Sequence, residues 1–495
     1  MKNNVLKLFA ASFFILLFSV KASAQQNPYV PETDPLVLQK LEQWQDLKFG
    51  LLMHWGAYSQ WGIVESWSIC PEEYPWCRRY MGSDPDNYNT YLKEYENLKL
   101  TFNPYNFDPE KWAEAAKEAG MRYLVFTTKH HDGFCMFDTK YTDYKITDKA
   151  CPFSKNPKAN VTKEIFNAFR AQNIWTGAYF SKPDWHCPYY WSPQYPPKDR
   201  NVNYEPEANP ELWQKYVEYT HNQVLELVSG DYGKVDILWF DGGWVQKRDK
   251  NDIKQSYLKQ INNSEAGYII TREVNQDVKM DELVKKVRKK QPGIIVVDRA
   301  VHGKNQNYLT PENRVPEKAL DYPWESCIIS GGGWSYTPGA KYKSGREAIQ
   351  LLVDIVAKGG NLLLNIAPSP QGEWQQGAYD LLKEYADWMK VNSEAIYATR
   401  ALEPYKVDNI CMTRKKDNSA IYFYYMAQKD ETELPPVVKI NDAYKLPKRS
   451  KITLLGTGKK LKWKKTGKNS FKIFIPKELR KNPPAKYVWV FKVVE

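Results

Sequence analysis

Seven short apolar runs, at 49–54, 123–131, 175–181, 235–241, 294–299, 326–330 and 361–367, recur along the first four hundred residues, with amphipathic or polar stretches between them. Runs of this length bounded by turn residues suit buried strands, and helical periodicity between them makes the unit a repeated βα. Over 109–120, Trp112, Ala115, Ala116 and Ala119 fall on one side of a helix. A second helix is expected over 281–291, capped by Asp281 and stopped by Pro292-Gly293. No glycine-rich dinucleotide fingerprint follows the first strand, so the spacing predicts an α/β fold of the TIM-like (β/α) barrel type rather than an open doubly wound sheet. The lysine-rich 247–259 and the polar 262–264 read as an insertion after the fourth strand. After about Arg400 the pattern shifts to short β-type runs separated by Gly, Lys, Asn and Pro. A C-terminal β-sandwich over 399–495 is therefore expected to follow a barrel over 25–398.

The N-terminus reads as an export signal. Lys2 and Lys7 precede an apolar run from Leu8 to Val20, and Ala22-Ser23-Ala24 offers a small-residue cleavage site. Residues 1–24 are set aside as a signal peptide, which predicts a periplasmic or secreted protein. No cysteine follows that site and no later stretch is long and apolar enough to span a bilayer, so neither a lipid anchor nor membrane insertion is expected. The seven cysteines form no disulfide framework or zinc motif, although a Cys70–Cys77 bridge is open to an exported chain. The net charge of +12 is concentrated at 284–290 and 459–465, where alternation with apolar residues fits solvated faces of a helix and a strand. Nucleic acid is not expected as a partner, whereas a charged glycan or anionic surface stays open.

The ends of the strands carry the chemistry. The first run ends in His54-Trp55-Gly56, the second in Lys129-His130-His131-Asp132, the third near Tyr179, the fourth in Trp239 and Asp241, and the fifth in Asp298-Arg299. Burying His, Asp and Arg without partners is costly, and in a parallel barrel reactive groups gather at these ends. Side chains alternate along a strand, so Ile237, Trp239 and Asp241 should share one side, with the acid at the mouth. Asp241 as the cap of the next helix is the structural alternative.

These residues resemble glycoside hydrolase family 29, the α-L-fucosidases, from about Phe49 to Pro368. The resemblance rests on Phe49-Gly50 with His54-Trp55-Gly56, KHHDGF at 129–134, LWFDGGW at 238–244, VDRA at 297–300, TPE at 310–312, PWES at 323–326 and GGNLLLNIAPSPQG at 359–372. It implies a retaining exo-glycosidase that acts on a fucosylated oligosaccharide or glycoconjugate with no cofactor and no metal. Such enzymes place two carboxyl groups on either side of the scissile bond. Asp241 matches the nucleophile, with Gly242-Gly243 expected to let the sugar approach.

For the acid/base, Asp298, Glu312, Glu317 and Glu325 all present themselves. Glu312 is preferred because it follows Arg299 on a loop where family members with this strand end carry that group. A first-turn helix role is its structural alternative, and Glu325, otherwise expected to hold Arg299, is the competitor. By resemblance His54, His130, His131, Tyr179, Trp239 and Arg299 bind the sugar ring. Glu65 and Trp67, or else Trp76, join them from the inserted SWSICPEEYPWCRRY. Two further readings are an iron oxygenase built on His130-x-Asp132, and a secreted fucose- or glycan-binding protein without catalysis. Alternation along a strand argues against His130 and His131 sharing one ion unless the strand has already ended.

Overall fold

The computed structural model describes residues 29–264, 269 and 271–494, so the expected signal peptide lies outside the described residues. Seven parallel strands, β1 (Phe49–Met53), β2 (Tyr123–Lys129), β3 (Trp175–Ser181), β4 (Ile237–Asp241), β5 (Ile295–Asp298), β6 (Glu325–Ile329) and β7 (Asn361–Asn365), form one sheet in the order β5-β4-β3-β2-β1-β7-β6. Each corresponds to one of the seven apolar runs. Helices Pro109–Glu118, Val161–Ala171, Pro210–Leu227, Met280–Lys290, Gly345–Ala357 and Gln376–Asn392 follow β1, β2, β3, β4, β6 and β7, the layout of a TIM-like barrel.

The described residues between β5 and β6 hold no helix; an extended segment closes the barrel there. The Asp298 amide donates to the Asn305 carbonyl at 2.9 Å and the Asn307 amide to Val296 at 2.9 Å. On the other side the Glu325 amide donates to Leu309 at 2.8 Å, Cys327 to Pro311 at 3.2 Å and Asn313 to Cys327 at 2.9 Å. Two sheet edges with unpaired backbone groups would be costly to bury, and this segment satisfies both. It also carries Glu312, bridged in parallel to Cys327, so that residue sits on a strand-like support rather than on a free loop or in a first helical turn.

Strand alternation sorts the core. Leu52, Val125, Tyr179, Ile237, Trp239, Ile295 and Val297 fill the barrel interior, while Leu238 and Phe240 face the helices. Each such side chain contributes roughly 1.5–3 kcal/mol on burial, which offsets the cost of placing a few polar groups inside. The helix over 280–290 differs from expectation at its start. It begins at Met280 after Lys279 in the left-handed region, and Asp281 is a first-turn residue rather than the cap. Its carboxylate is drawn instead to Lys304 at 3.0 Å and Asn305 at 2.7 Å. The insertion after β4 forms helix Lys250–Asn263, which buries no side chain. Among the described residues no helix is long and apolar enough to cross a membrane.

Strands β8 (Thr399–Val407), β9 (Ile410–Lys415), β10 (Ile421–Met426), β11 (Val437–Ile440), β12 (Lys451–Leu454), β13 (Lys460–Lys465), β14 (Phe471–Phe474) and β15 (Val488–Val494) make an antiparallel sheet ordered β11-β14-β13-β12-β15-β10-β9-β8. Phe423 of β10 and Phe471 of β14 are separated in this order by three strands, yet their rings meet at 5.5 Å. The sheet thus folds over onto itself, with Met412, Val438, Ile473 and Phe491 buried between the two halves. In β13 Leu461 is buried while Lys460, Lys462 and Lys464 face solvent, which accounts for one concentration of positive charge without a ligand. The two sheets are joined by Trp388, whose indole donates to the Val488 carbonyl at 2.9 Å, and by Arg346, which donates to Ala427 at 2.9 Å.

Candidate active site

A cavity of about 220 Å³ opens at the C-terminal ends of the strands and is lined by all ten residues expected from the sequence. His54 follows β1, His130 and His131 follow β2, Tyr179 lies on β3, Trp239 and Asp241 on β4, Arg299 after β5, and Glu312 on the closing segment. Glu65 and Trp67 enter from the long loop after β1. Trp67 lines the cavity, whereas Trp76 does not reach it and is 43% exposed.

Asp241 is the last residue of β4 and caps no helix. Its Oδ1 accepts from Arg299 Nη1 at 3.0 Å and its Oδ2 from the Tyr179 hydroxyl at 2.7 Å. Burial pushes this carboxyl up, but Arg299, followed by His131, the Tyr179 hydroxyl and the Gly242 amide, outweighs burial and holds it well below the usual carboxylate range. It is an anion with fixed donors, as a nucleophile requires. Gly242 and Gly243 are required by the backbone at this strand end. Gly242 has φ +85°, and a Cβ there would come within 2.3 Å of Pro183, while one at Gly243 would come within 2.8 Å of Ala300.

Three imidazoles face the cavity in neutral form. Burial lowers His54 to about 4 against the opposing Asn365 hydrogen bond, and lowers His131 to about 3 against the pull of Asp241. His130 is driven well below its ordinary value by burial, then by His131 and His54. His54 Nδ1 donates to Asn365 Oδ1 at 2.9 Å, which leaves Nε2 as an acceptor. Ser181 Oγ donates to the Pro183 carbonyl at 2.7 Å, so His131 Nδ1 donates to Ser181 Oγ at 2.6 Å. Its acceptor Nε2 then lies 4.0 Å from Asp241 Oδ2. Neutral acceptors beside a carboxylate suit polyol hydroxyls. Glu65 complements them: burial, opposed by the Ser335 amide that donates to it at 2.8 Å, raises its carboxyl to about 8, and at neutral pH it can donate a hydrogen bond.

Of the four acid/base candidates, Glu312 alone lines the cavity with Asp241. Glu312 accepts from Arg299 Nη2 through one oxygen and from Trp334 Nε1 at 3.1 Å through the other. Asp298 is locked to Lys182 at 2.5 Å and lines a different pocket. Glu317 is exposed and lines an outer groove instead. Glu325 begins β6 inside the barrel, where it accepts from the Tyr123 hydroxyl at 2.6 Å and Trp239 Nε1 at 3.3 Å. It therefore supports Trp239 and does not hold Arg299, contrary to expectation; the guanidinium is taken by Asp241 and Glu312.

Arg200, Trp244 and Trp334 also line the cavity and were not singled out from the sequence. Trp244 stands within the LWFDGGW segment and could have been found there. Arg200 comes from the loop after β3 and Trp334 from the loop after β6, where no local pattern marks them. Arg200 lies over the rings of Trp67 at 4.9 Å and Trp244 at 5.2 Å, with its charge balanced by Glu72 at 2.5 Å.

The strand ends at Lys129, so His130 and His131 are not bound by strand alternation; their rings lie 4.1 Å apart and both face the cavity. With Asp241 they could present ligand atoms to one metal ion, all within 4.8 Å of each other. The cation beside Asp241 in this structure is Arg299. The iron triad expected of an oxygenase is not assembled, because Asp132 turns away from the cavity to accept from the Tyr95 hydroxyl at 2.8 Å. Cys70 and Cys77 are free thiols, buried side by side with their sulfurs within 4.8 Å.

An anionic carboxylate, a second carboxylate across the same guanidinium, and a small cavity walled by indoles and neutral imidazoles define a barrel glycoside hydrolase. A family model described as alpha-L-fucosidase matches residues 16–394, and one described as alpha-L-fucosidase C-terminal domain matches 405–494. The chain belongs to the α-L-fucosidase family, glycoside hydrolase family 29. Human tissue alpha-L-fucosidase is 27% identical over 98% of this chain and 96% of its own. The alpha-L-fucosidase of Dictyostelium discoideum is 25% identical over 85% of each. Among solved structures, alpha-L-fucosidase isoenzyme 1 from Paenibacillus thiaminolyticus superposes with a TM-score of 0.71 at 27% identity, over 93% of this chain and 99% of that one.

Proposed function

We propose that this α-L-fucosidase is an exported exo-enzyme that releases L-fucose with net retention, with Asp241 as nucleophile and Glu312 as acid/base. The observation that carries the reading is the placement of Asp241 and Glu312 on two nitrogens of one guanidinium at the wall of a cavity sized for a single sugar. In the first step a free lone pair of the Asp241 carboxylate attacks the anomeric carbon while Glu312 protonates the departing oxygen. In the second, Glu312 takes the proton of a water that displaces Asp241. Arg299 and the Tyr179 hydroxyl hold the attacking group in place without reorganisation. His54, His130, His131 and Glu65 take the ring hydroxyls, and Trp67, Trp239, Trp244 and Trp334 supply the apolar wall for the ring face and the methyl group.

The anomer formed first decides the stereochemistry: NMR of early time points should show α-L-fucose from an α-fucoside, and initial β-L-fucose would overturn the assignment. Export rests on Lys2, Lys7, the apolar 8–20 and Ala22-Ser23-Ala24. N-terminal sequencing of the mature protein should begin at Gln25.

A further inference from the structure

The inserted segment that brings Glu65 and Trp67 to the cavity continues into a feature the release of fucose does not use. Tyr74 and Trp76 stack with ring centroids 4.6 Å apart and an interplanar angle of 4°. Tyr74 is partly buried against the core, and Trp76 remains 43% exposed. The segment that carries the stack is tied to the loop after β3. Glu72 accepts from the Arg200 amide at 3.1 Å and from its guanidinium at 2.8 Å and 2.5 Å, while Cys70 and Cys77 lie buried together next to it. Arg200 in turn joins the stack to the cavity, since its guanidinium lies 4.9 Å from the Trp67 ring on the cavity side and 5.6 Å from Tyr74 on the other. Trp67, Arg200, Tyr74 and Trp76 thus form a continuous line of flat groups that leads outward from the site of cleavage.

We propose that Trp76, braced by Tyr74, is a subsite for the leaving group, taking the apolar face of a pyranose at least one sugar beyond the residue that carries the fucose. An indole braced by a second ring offers a flat face that loses little entropy on binding. A sugar ring presents a matching face of C–H groups, and aromatic contact is how proteins recognise it. Continuity with the cavity through Arg200 makes a saccharide attached to the bound fucose the occupant. The substrate class is therefore a fucosylated oligosaccharide with two or more sugars in its leaving group. The proposal builds on the fucosidase reading and adds to it a preference for longer leaving groups.

The test compares Trp76→Ala and Trp76→Phe with the parent enzyme on an aryl α-L-fucoside and on α-fucosylated oligosaccharides whose leaving groups contain one, two or three sugars. Turnover of the aryl fucoside by the parent checks the fucosidase reading independently. For Trp76→Ala we expect kcat/KM on leaving groups of two or three sugars to fall about tenfold, mainly through KM, with the aryl fucoside within twofold. Trp76→Phe should recover part of the loss. An unchanged ratio between oligosaccharide and aryl substrates would overturn the subsite, as would an equal fall on both. A change of oligomeric mass in Trp76→Ala without a change in that ratio would also overturn it and assign the indole to a contact between copies of the chain.

Discussion

Arg299 donates to Asp241 at 3.0 Å, and this contact sets the charge of the site. Removing the cation leaves burial as the main influence on the Asp241 carboxyl, which then rises. Arg299→Met should therefore move the acidic limb of the kcat/KM profile upward by about one to three pH units, because an opposite charge at this distance depresses a carboxyl by about that much. A limb that stays in place would mean that another group governs it.

Asp241→Ala should lower kcat on an aryl fucoside by on the order of 10³-fold or more, since it removes the proposed nucleophile rather than a binding contact. Azide or formate added to the variant should restore part of the rate and give an inverted product. Full activity in the variant excludes the assignment.

Glu312→Ala should slow oligosaccharide substrates by about 10²–10⁴-fold and aryl fucosides with good leaving groups far less, because only the former need a proton in the first step. Azide should relieve the defect. If Glu325→Ala shows this leaving-group dependence and Glu312→Ala does not, the roles are reversed.

Buried imidazoles and a buried carboxyl should make folding stability depend on pH with opposite signs. His54 at about 4 and His131 at about 3 bind fewer protons when folded than when unfolded, so stability is lost as pH falls from about 6.5 through those values. Glu325, raised to about 8 by burial against the opposing Tyr123 and Trp239 hydrogen bonds, keeps a proton that the unfolded chain releases near the ordinary glutamate value of 4.5. It lowers stability progressively as pH rises from there to about 8. Thermal melts of Glu325→Gln across pH 5–9 should lack the part of the parent's stability loss that accrues between about pH 5 and 8; identical profiles would contradict the assignment.

Exhaustive chelation should leave activity intact, because Arg299 already supplies the positive charge beside Asp241. Activity lost with stoichiometric zinc or iron, and regained on its return, would assign His130, His131 and Asp241 to a metal.

Much of the architecture could be read along the chain because it is local. Apolar runs such as 235–241 mark strands through their length and burial, and a polar group directly after such a run is carried to the mouth of a barrel by the strand itself. His54, His130, His131, Asp241 and Arg299 were accessible in this way. What depended on tertiary structure is everything brought in across loops or through space. Glu325 and Glu312 are thirteen residues apart and of the same type, yet one starts β6 within the barrel interior and the other lies on the extended segment between β5 and β6. Only the need to close the gap between β5 and β6 separates them. The neutral state of the imidazoles, the guanidinium shared by two acids, and the arrival of Arg200 and Trp334 follow from burial and packing among segments distant in sequence, for which no local pattern of residues can stand.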